Sequence, residues 1–229
     1  MQPYFFPYIG YFQLIKNVDA FVIYDEIKYT KKGWINRNRF LKNGEDSYFT
    51  LPLKKDSDFL FVNQRVLSDS WDLDKNKLKN KIKEAYTNAP YFQVIFPIIE
   101  ETLNFKDKNL FQFIYNSLKV ICEFLEINTP IIEYSSLELT EEYKASEKVK
   151  QICKFLKSED YLNPIGGIEL YDKEDFLKDD INLKFLKSNN IIYKQHENTF
   201  VPYLSIIDVL MFNSKEQIQK MLISDFEII

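Results

Sequence analysis

Residues 2–25 read QPYFFPYIGYFQLIKNVDAFVIYD. The first half combines two prolines, a glycine and several aromatic residues, which suits a shaped turn better than the interior of a helix or strand. The second half contains the nearly continuous apolar run 19–24, which Asp25 follows. Such a run is typical of a buried strand, here with a carboxylate at its C-terminal end. The stretch therefore predicts a buried strand that follows an aromatic turn.

Outward from this stretch, the spacing of apolar residues predicts strands and helices that alternate along the chain. Further strands are predicted over 48–53, 59–67, 131–137, 181–186 and 191–194. Helices are predicted over 71–87, 91–127 (a pair), 142–157, 204–212 and 215–223. This alternation predicts one α/β domain over residues 1–229, with a mixed or mainly parallel sheet, flanking helices and a helical insertion around 71–127.

Polar residues mark several of the predicted element ends. Asp107 is expected to cap the second helix of the pair, and Ser214 the last helix. Thr140 and the two glutamates after it are expected to open the helix over 142–157. The proline and the two glycines in 164–167 predict a turn at a strand end.

Composition limits the classes of function. The 229 residues are 45% hydrophobic and 28% charged, as in soluble globular proteins. The net charge of −4 provides no overall basic field, which argues against a nucleic-acid partner. The sequence has no apolar window of about 18 residues, so no membrane span is predicted. It also lacks a signal-peptide pattern, which predicts a cytoplasmic location.

Motifs for the common cofactors and metals are missing from the sequence. It contains no Walker A motif, Rossmann glycine fingerprint, HExxH motif or Asp-x-Asp pair. No cofactor and no metal site is therefore expected. Cys122 and Cys153 lie in apolar helical patterns and outside any CxxC motif, which predicts buried free thiols.

The segment 31–39 concentrates side chains that bind phosphate, sugar hydroxyls and ring faces. Arg37 offers a bidentate fork to a diphosphate, and Trp34 offers a face to a base or sugar ring. Further charges and amides come from Lys31, Lys32, Asn36 and Asn38. The segment predicts a binding site for a sugar nucleotide. The alternative is an exposed β-hairpin with ordinary surface charge.

The aromatic turn 2–12 is expected to line the same pocket, with Gln2 and Tyr8 as hydrogen-bond donors. Alternatively, its prolines and aromatic residues only pack the N-terminus onto the core. A third interpretation compares the turn, the following helix and the strand ending in Asp25 with nucleotidyltransferase-type α/β folds. Those enzymes hold phosphates with a histidine pair at this turn, and no histidine is present here.

His196 and Asp25 are the leading candidates for a catalytic base. His196 is the single histidine, and its reference pKa near 6.5 suits proton transfer; the alternative is a structural role. Asp25 is the best placed of the carboxylates, at the predicted strand end near the aromatic turn. Asp19 and Asp208 compete with it for this role.

Asp208 is a further carboxylate of interest, because it falls inside the apolar helix predicted over 204–212. A carboxylate in such surroundings is costly unless it is paired. A buried ion pair with Arg37 or Arg39 is the favoured explanation. The alternative is a functional role with a perturbed pKa.

Taken together, the sequence resembles the WbqC-like proteins, which bacteria carry in gene clusters for O-antigen and other surface polysaccharides. The resemblance covers essentially the whole chain. It rests on Gln2, Pro3, Tyr8, Gly10, Tyr11, Phe12, Asp19, Asp25, Lys31, Trp34, Asn36, Arg37 and Asn38, then on 50–52, Tyr86, 89–92, 144–146, 161–162, 166–167 and 204–208. There are two departures from the family pattern. An apolar strand expected before Gln2 is missing, and Ser214 stands where a glycine is expected.

The resemblance implies a role in glycan assembly, as a transferase that moves an acyl or aminoacyl group, such as glycyl, to the amine of a nucleotide-linked amino sugar. Arg37, Lys31 and Lys32 would then hold the diphosphate, and Trp34 and Tyr8 would shape the sugar site. Asp25 or His196 would accept the amine proton, and Gln2 and Asn36 would stabilise the oxyanion. The acyl donor is not encoded in any motif. The alternatives are a non-catalytic protein that binds a sugar nucleotide or a partner, and a nucleotidyltransferase-like enzyme.

Overall fold

The computed structural model describes residues 1–139, 145–196 and 199–229. Helices occupy Ile9–Lys16 (α1), Trp71–Tyr86 (α2), Phe92–Leu103 (α3), Leu110–Phe124 (α4), Ala145–Phe155 (α5), Lys173–Leu177 (α6), Ile206–Phe212 (α7) and Lys215–Ser224 (α8). Strands occupy Phe21–Ile23 (β1), Arg37–Lys42 (β2), Glu45–Thr50 (β3), Ile131–Glu133 (β4), Asp160–Pro164 (β5), Asn182–Ser188 (β6) and Phe226–Ile228 (β7).

The strands of the described residues form small sheets with two parallel and two antiparallel pairs. β1 pairs with β4 in parallel, with Phe21 opposite Ile131. β5 and β6 are also parallel, and β7 adds antiparallel to the other edge of β6. β2 and β3 form a separate antiparallel hairpin. With helices packed around them, these sheets confirm the predicted α/β class.

The predicted helical segment around 71–127 is confirmed as α2, α3 and α4. Its apolar spacing works as expected, because one face of each helix enters the main core. The Trp71 ring meets the Phe113 ring edge-on, with centroids 5.3 Å apart, and both side chains are buried. The same core continues through α1, the β2–β3 hairpin, α7 and α8.

Two predicted strands are wrong. Residues 59–67 contain a 3-10 turn, Val62–Gln64, because Asn63 folds back to bind Asp25 through both its backbone amide and its side chain. Residues 191–194 form no strand in the described part of the chain, since Tyr193 is held by a side-chain bond to Asp208. In both cases a side-chain contact replaces the backbone ladder.

Helix α1 begins at Ile9, inside the stretch predicted as a turn. Gly10 allows this helix to approach β6 closely. A Cβ at Gly10 would lie 2.5 Å from the Ser188 Oγ atom, too close for any other residue without movement. Gly10 is therefore a packing glycine.

The predicted caps have mixed outcomes. Ser214 caps α8 as expected and accepts a hydrogen bond from the Gln217 amide. The cap of α4 is Asn109 and not Asp107, because the Asn109 side chain is the one that accepts the Gln112 amide. The opening proposed at Thr140 lies outside the described residues, and the turn at 165–167 follows β5 as predicted.

The cysteines and the absence of a membrane span were also predicted from the sequence. Cys122 and Cys153 are both free and buried, as predicted. Among the described residues, no helix combines the length and the apolar character needed to cross a bilayer.

Candidate functional site

A cavity of about 630 Å³ lies where the aromatic turn meets the C-terminal ends of β5 and β6, and it is called the α1 cavity below. Its wall includes the first turn of α1, the residues just after β5 and those just after β6. The members used below are Tyr8, Gly10, Tyr11, Pro164, Ser188, Asn189, Asn190 and Tyr203. In α/β proteins, ligands bind outside the carboxyl ends of parallel strands, which is the position of this cavity.

The N-terminus of α1 gives the cavity a partial positive charge. Tyr8 is the N-cap residue, but its side chain makes no capping hydrogen bond, and the first turn contains no acidic residue. The first amides of a helix have no partner within the helix, and the aligned peptide dipoles add positive potential there. This end of α1 borders the cavity at Tyr8 and Gly10. The arrangement suits an anionic group such as a phosphate.

Two tyrosine rings form the outer wall. The Tyr8 and Tyr203 rings meet edge-on, with centroids 5.6 Å apart. Burial, with a smaller effect of Tyr203, raises the pKa of Tyr8 to about 12. At neutral pH the Tyr8 hydroxyl therefore keeps its proton and can donate it in a hydrogen bond.

Ser188 is oriented by a chain of hydrogen bonds. Its hydroxyl donates to the Gln13 Oε1 atom at 2.5 Å, and the Gln13 amide donates to the carbonyls of Met221 and Asp225, both at 2.9 Å. With its proton committed to Gln13, the Ser188 oxygen can still accept a hydrogen bond from a ligand.

The side chains of the predicted cluster at 31–39 pack against β3 of the hairpin, at Tyr48. Trp34 stacks on Tyr48 with a 6.1 Å centroid distance, and the Arg37 guanidinium lies 5.7 Å from the Trp34 ring and 5.4 Å from the Tyr48 ring. Arg37 also donates to the carbonyls of Gly33 at 2.9 Å and Lys32 at 2.6 Å. Two of the three guanidinium nitrogens of Arg37 therefore bind backbone carbonyls within the same segment.

The two lysines of the cluster are exposed. Lys31 pairs with Asp58 at 2.7 Å, and the burial of both side chains is slight. Lys32 contributes its backbone carbonyl to Arg37. An exposed pair of this kind adds little stability, so Lys31 can exchange Asp58 for another anion at small cost.

The two asparagines of the cluster face inward. Asn36 donates to the Leu51 carbonyl at 2.8 Å and accepts from the Tyr29 hydroxyl at 2.9 Å. Asn38 donates to the Phe6 carbonyl at 2.8 Å. Both side chains are buried, so their hydrogen bonds hold the hairpin and the aromatic turn in place.

Gln2 also binds within the turn. Its side-chain oxygen accepts a hydrogen bond from the Tyr4 hydroxyl at 3.1 Å, and its backbone carbonyl accepts one from the Tyr11 hydroxyl at 2.8 Å. Both tyrosines line the α1 cavity, so Gln2 lies behind its wall.

Arg39 connects the hairpin surface to the α1 cavity. Its guanidinium lies 5.6 Å from the Trp34 ring and donates to the Tyr203 carbonyl at 3.3 Å. Tyr203 in turn contacts Tyr8 in the cavity wall. Trp34 and Tyr8, which were predicted to share one pocket, are thus linked by a series of contacts through Arg39 and Tyr203.

The two candidate bases lie elsewhere. Asp25 follows β1 and is buried, and its carboxylate accepts hydrogen bonds from the Asn63 amide group and the Ser135 backbone amide, both at 3.0 Å. The His196 ring lies edge-on to Phe212 at 4.7 Å. Neither Asp25 nor His196 is among the described residues that line the α1 cavity.

Asp208 is fully buried, but the expected arginine partner is wrong. Its carboxylate accepts hydrogen bonds from the hydroxyls of Tyr86 and Tyr193 and from the Gln195 amide, each at 2.7 Å. Arg37 and Arg39 are instead bound on the hairpin surface. Burial raises the pKa of Asp208, while the three hydrogen bonds oppose this shift.

Sequence reasoning missed Ser188, Asn189, Asn190 and Tyr203. Ser188 ends β6, and Asn189 and Asn190 directly follow it. A run of small polar residues at the end of a strand is a usable signal. Tyr203 gives no such signal, because its place in the wall depends on contacts with Tyr8 and Arg39.

Comparison with known proteins gives a family match. The model of the WbqC-like protein family matches residues 2–220. The uncharacterized protein Rv1507c of Mycobacterium tuberculosis is 28% identical over 215 residues, which cover 93% of this chain and 91% of that protein. No solved structure gives a significant match.

Proposed function

Because the chain belongs to the WbqC-like protein family, we propose that it takes part in assembling a bacterial surface polysaccharide such as O-antigen. In this proposal it binds a nucleotide-linked amino sugar in the α1 cavity. It then transfers an acyl or aminoacyl group, such as glycyl, to the sugar amine. The proposed place of action is the cytoplasm.

The observation that supports the proposal is the position of the α1 cavity. An uncapped helix N-terminus opens at the carboxyl ends of two parallel strands, beside a tyrosine that remains protonated at neutral pH. A helix N-terminus favours phosphate through its free amides and its dipole. The volume of about 630 Å³ lies within the range of small-molecule sites, roughly 300–1,000 Å³.

The proposed roles follow from the chemistry of the wall. The diphosphate lies at the N-terminus of α1, where Tyr8 donates a hydrogen bond. Ser188 accepts, and Asn189 and Asn190 bind hydroxyls or the amine of the sugar. The ring faces of Trp34 and Tyr203 line the path along which a base or sugar enters.

The proposal also assigns roles to the polar and charged residues of the segment 31–39. Lys31 and Lys32 add exposed positive charge in the same segment as Trp34, just before β2. Arg37 holds the loop that presents Trp34, so its proposed role is partly to position that ring. Asn36 and Asn38 act through the wall that they hold in place, and Gln2 does so through Tyr4 and Tyr11.

In the transfer step, the amine nitrogen attacks the carbonyl carbon of an activated acyl donor. A carbon–nitrogen bond forms, the bond between the carbonyl carbon and the leaving group breaks, and one proton leaves the nitrogen. Asp25 and His196 remain the proposed acceptors of that proton. For either to act, the bound substrate has to extend beyond the α1 cavity.

Non-catalytic binding of a sugar nucleotide is the second candidate. It is favoured by one observation, the absence of both candidate bases from the described cavity wall. A protein of this kind would present the sugar nucleotide to a partner enzyme.

The deciding experiment combines binding with product analysis. Calorimetric titration with a nucleotide-linked amino sugar should give saturable binding, which Tyr8→Phe weakens about fivefold to tenfold, the cost of one hydrogen bond. Tyr91→Phe is the matched control, because Tyr91 lies outside the described wall. Absence of binding by the wild type would refute both candidate functions.

Mass spectrometry after addition of activated glycine and other acyl donors separates the two candidates. A product heavier by one acyl group supports the transferase. Binding without conversion by any donor supports the non-catalytic protein. Release of pyrophosphate from a nucleoside triphosphate would favour nucleotidyl transfer.

A further inference from the structure

A loop of basic and aromatic residues, 54–61, projects from the molecule beside the segment 28–32. It reads KKDSDFLF, and residues 54–59 are all exposed. Phe59 is 79% exposed, more than any other large apolar side chain that the structure describes, and Phe61 is 36% exposed. A phenylalanine ring in water exposes surface that is more stable in an apolar environment. The loop therefore offers two aromatic rings to an apolar partner.

Buried groups hold the loop in this conformation. The Arg65 side chain is buried, its guanidinium lies 4.9 Å from the centre of the Tyr29 ring, and it donates to the Ser57 carbonyl at 2.8 Å. The Tyr29 amide donates to the Leu60 carbonyl at 3.2 Å. These two hydrogen bonds fix the backbone on either side of Phe59, so the exposure of this ring is a property of the fold.

Lysines border the aromatic rings. Lys28 lies opposite Phe61 in an antiparallel bridge, and the Lys31 Nζ atom lies 2.7 Å from an Asp58 carboxylate oxygen. These contacts place the segment 28–32 directly beside the loop. Together the two segments contain five exposed lysines, Lys28, Lys31, Lys32, Lys54 and Lys55. The acidic residues there are Asp56 and Asp58. Five lysines and two aspartates give a local charge of +3, in a chain whose net charge is −4.

Exposed aromatic rings among lysines suit the surface of an anionic membrane. The rings enter the boundary between headgroups and acyl chains, and the ammonium groups attract anionic lipids. A bilayer accepts a projecting ring without a preformed pocket, whereas a protein partner would have to provide one. The Lys31–Asp58 pair is exposed and adds little stability, so Lys31 can exchange Asp58 for a lipid phosphate at small cost.

We propose that residues 28–32 and 54–61 form a membrane-docking face. In the docked state Phe59 inserts between the headgroups of an anionic lipid surface, and the five lysines lie at the level of the lipid phosphates. Trp34, which is 38% exposed, follows this face in the chain and would then lie near the membrane. Docking of this kind requires neither the α1 cavity nor the proposed transfer reaction.

Co-sedimentation of the full chain with lipid vesicles tests the proposal. Vesicles that mix phosphatidylglycerol with phosphatidylcholine should bind the protein at low salt, and vesicles of pure phosphatidylcholine should bind much less. High salt should release most of the bound protein, because it screens the lysines from the anionic lipids. Absence of binding to the anionic vesicles would overturn the proposal.

Two variants separate the contribution of the ring from that of the charges. Phe59→Ser should weaken vesicle binding about tenfold, which is the loss of one inserted aromatic ring. Lys54→Gln combined with Lys55→Gln should weaken it by more than about tenfold, since each lysine near an anionic surface contributes about fivefold. All three side chains are exposed, so the Tm of these variants should match that of the wild type.

Matched controls remove the same kinds of group elsewhere. Leu170→Ser removes an apolar side chain that is 73% exposed. Lys81→Gln combined with Lys83→Gln removes two exposed lysines from α2. Both controls should bind vesicles nearly as well as the wild type. Equal weakening by the controls and by the variants of the docking face would show adsorption without a defined face, which contradicts the proposal.

Tryptophan fluorescence reports directly on insertion. Phe59→Trp in a Trp34→Phe background leaves the buried Trp71 as the other indole. The emission of the new indole should shift to the blue when anionic vesicles are added, because its ring leaves water. Vesicle binding without this shift would mean that the ring at position 59 stays in water, and the proposed docking would be wrong.

Discussion

At the scale of single residues, the buried polar side chains of this protein mainly form hydrogen bonds with other parts of the chain. Asn36, Asn38 and Asp25 stand out in the sequence as ligand-binding or catalytic groups, yet each binds another part of the chain. A sequence shows that such a side chain is present but not which partner reaches it. Asp208 shows the same limit, because its three donors come from three distant positions.

Asp208→Asn should lower the free energy of unfolding by about 3 kcal/mol, because an amide group cannot accept from all three donors. Tyr193→Phe removes one donor and should cost only about 1 kcal/mol. Urea unfolding of both variants measures these losses. Equal losses would show that the carboxylate is not the centre of the network.

Asp208 also predicts a dependence of stability on pH. Burial raises its pKa above the ordinary 3.8, so the folded state holds its proton more tightly than the unfolded state does. The contribution to stability is thus full below pH 3.8 and is lost as the pH rises through the raised value. The advantage of the wild type over Asp208→Asn should shrink from pH 4 to pH 7 in urea unfolding. A growing advantage would contradict the direction of the shift.

Gly10→Ala should destabilise the fold by about 1–3 kcal/mol, because the new methyl group would meet the Ser188 Oγ atom at 2.5 Å. Gly166→Ala is the matched control, since a Cβ there has no neighbour within 4 Å. Its effect should stay within about 0.5 kcal/mol in chemical unfolding. A neutral Gly10→Ala would mean that α1 can move away from β6 freely.

At the scale of elements, the spacing of apolar residues predicts the helices that pack one face against the core. Helices α2, α3 and α4 were predictable because each presents a regular apolar face to the core. Residues 59–67 and 191–194 have the composition of strands, but side-chain contacts with Asp25 and Asp208 decide their course. β7 has three residues and makes its strand only through β6, so its own sequence carries little signal.

The link between the hairpin and the aromatic turn is open to test through Asn38. Its amide group donates to the Phe6 carbonyl, and the Phe6 backbone is strained at a positive φ of 44°. Asn38→Ala should cost about 2 kcal/mol and weaken sugar-nucleotide binding, since the turn forms the cavity wall. Asn76→Ala, on the exposed side of α2, is the control and should change neither quantity. Lost stability with unchanged affinity would separate the turn from the site.

At the scale of the whole molecule, the α/β class was predictable from the alternation of elements, whereas the candidate site was only partly so. Tyr8 lines the α1 cavity, and Trp34 is linked to it through contacts with Arg39 and Tyr203. The α1 cavity depends on bringing residues 8–11 against 188–190, across most of the chain. No local pattern encodes that distance.

The two free thiols report on two parts of the molecule. Burial raises the pKa of Cys122 to about 12 and that of Cys153 to about 11, so neither is a thiolate at neutral pH. Both should resist a thiol reagent in the native state and react fully in denaturant. Cys153 lines a cavity between β1 and β5 and should react faster than Cys122, which lies in the main core. Faster labelling of Cys122 would place the weaker part of the fold in the helical segment.

The stacking of Trp34 on the hairpin has an optical consequence. The chain has two tryptophans, and they occupy opposite environments: Trp34 is 38% exposed and Trp71 only 2%. Acrylamide should therefore quench the fluorescence of one indole and spare the other. A ligand that enters past Trp34 would shield the quenchable fraction, while global unfolding would shift the emission of Trp71 to the red. One fluorescence spectrum thus separates occupancy of the site from the integrity of the core.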